Sequence, residues 1–218
     1  MESPDPREQV RKIKDKEQTR RKLIMAVGEL IRVKGYTGLG VNKIAKQAGV
    51  NKKLIYRYFG SPENLIEAYV VEKDYWMVFS EKLKDQAAEE KVDLQETISN
   101  ILEQQFDFFF SEVEMQQLIL WEISGESKLM KSIAVVREDL AAEFLRLTDE
   151  HFENSGINFR ALSALLSAGV YYMILHDKAG EYCGLDIKRA GDREEVKRTL
   201  RQIVDWAFRS VSEQVSIK

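Results

Sequence analysis

Val41 to Phe59 reads VNKIAKQAGVNKKLIYRYF. Ile44, Ala45 and Ala48 recur at i, i+1 and i+4, so one side of a short helix is apolar. Gly49 follows at once. Glycine takes a positive φ without steric cost, so it can end that helix and turn the chain sharply. Val50 then enters a core, and Asn51 is placed to cap a second helix. On that helix Leu54, Ile55 and Tyr58 or Phe59 can pack, leaving Lys52, Lys53, Tyr56 and Arg57 to point outward. Two short helices, a glycine turn and a basic, aromatic outer face predict a helix-turn-helix whose second helix enters the DNA major groove. An ordinary helical hairpin with solvated lysines would share the glycine. It would not require IAxxAGV, two lysines and YxYF in that order. Asn42, Lys43 and Tyr58 are expected at the edge of the same surface.

At these residues the chain resembles the TetR family of bacterial transcriptional regulators. The matching positions are Val41, Ile44-Ala45, Ala48-Gly49-Val50, Ile55-Tyr56, Tyr58-Phe59, Ser61, Glu63 and Leu65, with Gly35-Tyr36 upstream. The resemblance covers residues 19 to 66. It implies an all-α protein with a DNA-binding head, a helical body holding a small-molecule effector, and dimerisation through the last two long helices. Leu39 and Gly40 stand where the family often places Ser or Thr against a phosphate, and Pro62 where it often has Lys. Lys43, Lys46, Lys52 and Lys53 are therefore the candidates for phosphate contacts.

Charge points the same way without the family. From Thr19 to Gly60 ten basic residues face Glu29 alone, a net of +9. The first 18 residues balance at five and five, so with −3 for the whole chain residues 61–218 carry −12. A basic head on an acidic body suits a polyanion-binding module that keeps DNA away from the rest of the molecule. The chain divides accordingly into a charged tail or helix extension (1–18), a DNA-binding head (19–60) and an effector-binding and dimerisation domain (61–218).

Three prolines and twelve glycines in 218 residues favour long helices over a loop-rich β fold. Leu23, Val27, Leu30 and Ile31 predict the helix that supports the motif, closed by Gly35. Ser61-Pro62-Glu63 is a strong helix start, and its helix is expected to run on through Trp76, Met77 and Leu83 into the body. Gln86 to Asp93 reads as a loop. Further helices are expected around Ile98–Phe110, over 112–123, from Ser127 to Phe152 with Val136 and Leu147 inside, over 158–178, and from Arg193 to Val215. No apolar run near 18 residues and no signal pattern are read, so a cytoplasmic protein without a membrane partner is expected. The single Cys183 cannot form an intrachain disulfide.

The body has no Gly-rich phosphate loop, CxxC or HExxH, and His151 and His176 lie far apart. Neither an enzyme nor a metal or other cofactor is expected. Aromatics abound: Trp76, Phe79, Phe106, Phe109, Phe110, Trp121, Tyr171 and Tyr172. Apolar walls with a few polar groups describe a ligand site between helices. Trp76, Phe106, Phe109, Trp121 and Tyr172 are the expected walls; Glu122, Arg137 and His176 are the expected polar contacts. Small residues over 161–169, and Leu200, Ile203, Val204, Ala207 and Val211 on the last helix, suggest a four-helix interface between two subunits. The function expected is a homodimeric, sequence-specific regulator, most simply a repressor, released from a palindromic operator in double-stranded DNA by a small-molecule effector. Other classes compatible with the sequence are a DNA-anchored protein-interaction module and a non-specific nucleoid-binding protein, which would lack a large preference for one sequence.

Overall fold

The computed structural model describes residues 6–74, 93–125 and 127–216. Within them run nine α-helices: α1 (Pro6–Lys34), α2 (Val41–Ala48), α3 (Lys53–Phe59), α4 (Pro62–Lys73), α5 (Leu94–Ser111), α6 (Val113–Ile123), α7 (Lys128–Phe152), α8 (Phe159–His176) and α9 (Ala190–Ser216). Short 3-10 turns follow α1 and α8. No strand occurs among the described residues, and the chain is all-α as predicted. Trp76, Phe79 and residues 86–92 lie outside the described segments.

The head is a three-helix core closed by α4. Leu23, Val27, Leu30 and Ile31 of α1 pack with Ile44 and Ala45 of α2 and Ile55 and Phe59 of α3. α1 runs as one helix from Pro6 through position 18. α4 starts as its sequence demands: Ser61 Oγ accepts from Asn64 N–H at 3.0 Å, with Pro62 at the first helical position. Its Tyr69 lies so close to Gly28 of α1 that a Cβ there would sit 2.7 Å from the ring. Burial pushes the Tyr69 hydroxyl above its ordinary pKa. The helix does not run on as expected. It ends at Lys73, and Asp74 turns extended at φ −66°, ψ 124°.

In the body α5 packs against α8 and α9, and α6 bridges α1, α5, α7 and α8. On α7 the buried stripe is Met130, Ile133, Arg137, Thr148 and Phe152, spaced by helical turns. Val136 and Leu147, expected inside, fall off that stripe and are exposed. Val196, Leu200, Val204, Ala207 and Phe208 of α9 are buried within the subunit. Leu200, Val204 and Ala207 therefore complete the intrachain core rather than an intersubunit face. On α8 the reverse holds. Phe159, Val170 and Ile174 are buried, while Ala161, Ala164, Leu165, Ala168, Gly169 and Tyr172 form an exposed stripe. Phe159–Ala179 is long and apolar enough by length and composition to cross a membrane, a run the sequence reading passed over. Only 17% of that window is buried.

Candidate functional site

The turn of the head has the geometry its glycine allows. Gly49 sits at φ 66°, ψ 32°, and the Val50 amide bonds back to the Ala45 carbonyl at 3.0 Å. Asn51 Oδ1 then accepts from the Lys53 amide at 2.9 Å, fixing the start of α3. Ile55 and Phe59 face inward, so Lys52, Lys53, Tyr56 and Arg57 face solvent on one surface. Asn42, Lys43 and Lys46 are exposed beside them on α2. Lys52 Nζ stands 3.4 Å from Asn42 Oδ1, linking the two helices. Tyr58 is half-buried, with the Arg57 guanidinium 5.8 Å from its ring centre. Sequence reading missed Arg20. Its guanidinium lies 4.5 Å over the Phe59 ring and donates to the Tyr58 carbonyl at 2.6 Å, pinning the end of α3 to α1. The signal was only its place in the basic run at the start of the head.

Besides the Arg32–Glu114 ion pair at 4.0 Å, two junctions tie the head to the body. Asp74, the residue capping α4, is fully buried, and its carboxylate accepts from Arg137 of α7, with Nε at 2.7 Å. The same guanidinium donates to Glu122 of α6. Burial alone would lower the Arg137 pKa; Asp74, then Glu122, more than offset this and leave it raised. For Glu122 burial wins: desolvation outweighs Arg137, Asp74 adds repulsion, and the carboxyl is held above the usual range. The second junction is Trp121, stacked on Tyr36 with ring centroids 5.6 Å apart and planes 6° apart. Neighbouring residues of α6 thus serve different places: Trp121 the head, Glu122 the body interior.

Beside it lies a pocket of about 390 Å³, open on one side to solvent. Ile98, Ile101, Leu102, Leu145, Phe159 and Tyr171 supply apolar walls; Glu122, Arg137, Ser163 and Ser167 supply polar ones. Of the expected effector residues, Glu122 and Arg137 come together there. Phe106 and Phe109 are core residues, Phe109 packing edge-on to Tyr171 at 4.9 Å. Trp121 faces the head instead. Tyr172 is exposed, and with His176 it forms an aromatic cluster against Tyr182. The α8 tyrosine lining the cavity is Tyr171, one position earlier, because the helix turns Tyr172 onto the outer stripe. Gln105, fully buried one turn beyond Ile101 on α5, has an amide with no hydrogen-bond partner. Cys183 is exposed, and no metal-ligating cluster occurs among the described residues.

A basic, exposed second helix on a glycine turn, carried by an all-α body, defines a helix-turn-helix DNA-binding transcriptional regulator. Residues 24–69, the head, match the model of the bacterial regulatory proteins of the tetR family. The fold is similar to those of solved proteins. FadR from Bacillus subtilis, in complex with stearoyl-CoA, aligns at TM-score 0.60 and 18% identity over 84% of this chain and 96% of that one. FadR from Bacillus halodurans aligns at 0.57 and 17% over 93% and 96%. GusR from Salmonella enterica aligns at 0.57 and 14% over 86% and 95%. No curated protein matches the sequence.

Proposed function

We propose that the chain is a cytoplasmic, homodimeric repressor that leaves a palindromic operator when a small organic effector enters the body. Lys52, Lys53, Tyr56 and Arg57 meet the groove, with Asn42 and Lys43 at its edge and Tyr58 positioning Arg57. The exposed stripe of α8 packs against its copy in a second subunit, because small and apolar residues allow close helix approach. Two heads on a two-fold axis read half-sites about 34–36 Å apart, or a multiple of that.

One observation carries the effector reading. Glu122 lines the cavity, Trp121 beside it stacks on the head, and Arg137 of the same cavity holds Asp74 at the end of α4. A molecule that moves α6 or reorients Arg137 therefore disturbs one or the other of these junctions with the head. Stearoyl-CoA in the similar FadR fold is an organic molecule held by such a protein. Going from 1:99 to 99:1 in the released state needs about 5.5 kcal/mol of differential binding.

The test pairs two readouts on the full chain with DNA from upstream of its own gene. A metabolite mixture is screened for thermal stabilisation and for loss of DNA binding. Trp121→Ala is expected to keep the stabilisation and lose most of the release. A stabilising metabolite that never alters DNA affinity, or release unchanged in Trp121→Ala, counts against the reading.

A further inference from the structure

Gln105 is an amide at odds with its surroundings. It is fully buried on α5, and neither its side-chain oxygen nor its side-chain nitrogen has a hydrogen-bond partner among the described residues. A buried amide left unpaired destabilises the fold, so a partner from outside the chain is called for. The helix fixes where that amide stands. Ile98, Ile101 and Leu102 line the pocket. Gln105 follows the last two by four and three positions, so it continues the same face of α5 one turn further on. Phe109, another turn along, is buried edge-on against Tyr171, which also lines the pocket. Gln105 therefore stands between the apolar wall of the pocket and the Phe109–Tyr171 pair. The opposite side of α5 is occupied by α9: Glu96, Asn100 and Glu103 hold Arg201, and Asp107 holds Lys197.

We propose that Gln105 is the polar anchor of the pocket and that the ligand carries a neutral carboxamide or lactam, on an apolar body lying along Ile98, Ile101 and Leu102. This rests on the reading of the pocket as the effector site and names the chemical class of that effector. The Gln105 nitrogen donates to the ligand carbonyl, and the Gln105 oxygen accepts from the ligand N–H, so both orphaned atoms are satisfied at once. A carboxylate has no proton for the Gln105 oxygen, and an ammonium has no lone pair for its nitrogen. Each would pair one atom and bring a charge into an apolar space. A hydroxyl carries both functions on one oxygen and cannot meet the two amide atoms in line. Such a site rejects mismatched ligands because they leave its own buried group unpaired.

Hexanamide, hexanol, hexylamine and hexanoate share one chain and differ in the head group. Each is titrated into the full-length protein at pH 7 and followed by calorimetry, and the Tm of the ligand-free protein is measured beside it. Hexanamide is expected to bind at least about tenfold more tightly than the others, a difference of about 1.4 kcal/mol. Gln105→Met, unbranched and of similar length, is expected to reduce that preference to within about twofold. It is also expected to leave the ligand-free Tm as high or higher, because an unpaired buried amide has been removed. Gln105→Leu repeats both measurements with a second apolar side chain, should methionine pack poorly. A Tm lowered in both variants gives the amide a partner in the ligand-free fold, such as a trapped water, and overturns the proposal. A hexanamide preference that survives either substitution overturns it too. Equal or tighter binding of hexanol, hexylamine or hexanoate overturns the amide class but leaves the pocket an effector site. Binding by none of the four overturns both.

Discussion

Lys52 and Asn42 approach each other across the turn of the head, and Tyr56 stands one turn further on the same exposed surface. A lysine at the start of the second helix is suited to a phosphate. Lys52→Ala is expected to weaken specific and random DNA alike and to reduce the slope of log affinity against log salt by about 1. Tyr56→Ala is expected to cost about 1–3 kcal/mol on the operator and little on random DNA. Duplex titrations over a salt series separate the two, and unchanged affinity in both variants would remove α3 from the interface. Glu122 makes a prediction about stability. Its folded pKa is raised by burial, with Asp74 and Glu138 adding repulsion against the attraction of Arg137. A carboxyl raised on folding contributes fully below its unfolded pKa, and that contribution is lost as pH rises through the folded value. Urea midpoints of wild type should therefore fall relative to Glu122→Gln as pH rises above about 4.3, the unfolded value. A constant difference would mean that the ion pair compensates the burial.

Among elements, two glycines matter for different reasons. Gly49 has nothing within 4 Å of a Cβ position, yet its φ of 66° is left-handed. Gly49→Ala should cost about 1–2 kcal/mol through conformation alone. Gly28 lies within α1, and its constraint is steric: a Cβ would meet the Tyr69 ring at 2.7–2.9 Å. Gly28→Ala gains about 1 kcal/mol of helix propensity. It meets about 1–3 kcal/mol of overpacking. A lower Tm is the expected outcome, and a higher one would show that α1 and α4 can part without loss. Gly49 was legible because it separates two short periodic runs. Gly28 was not, since nothing in α1's own sequence says that a tyrosine 41 positions away lies over it. The end of α4 was hidden likewise: the apolar pattern continues past Lys73, and the break is tied to a buried partner on α7.

At the scale of the whole molecule, the faces of α8 and α9 that composition assigns to one interface part company, exposed on α8 and buried within the subunit on α9. Leu165 is 72% exposed, whereas Ala207 is 7% exposed. Leu165→Glu should leave the subunit folded and turn a dimer into a monomer in sedimentation at micromolar concentration. Ala207→Glu should instead lower stability within the subunit, by burying an unpaired charge. A Leu165→Glu dimer indistinguishable from wild type would move the interface off α8. Local pattern by itself determined the helix-turn-helix, its outward lysines and tyrosine, the all-α class and the division into a basic head and an acidic body. Each of these depends on residues a few positions apart or on summed charge. Only the tertiary structure decided which apolar helix face is covered, that Trp121 serves the head while Glu122 serves the cavity, and that Arg137 reaches back 63 positions to Asp74. Those pairings join residues far apart in the chain. A helix's own periodicity shows that a face will be buried, but what buries it depends on how the helices cross.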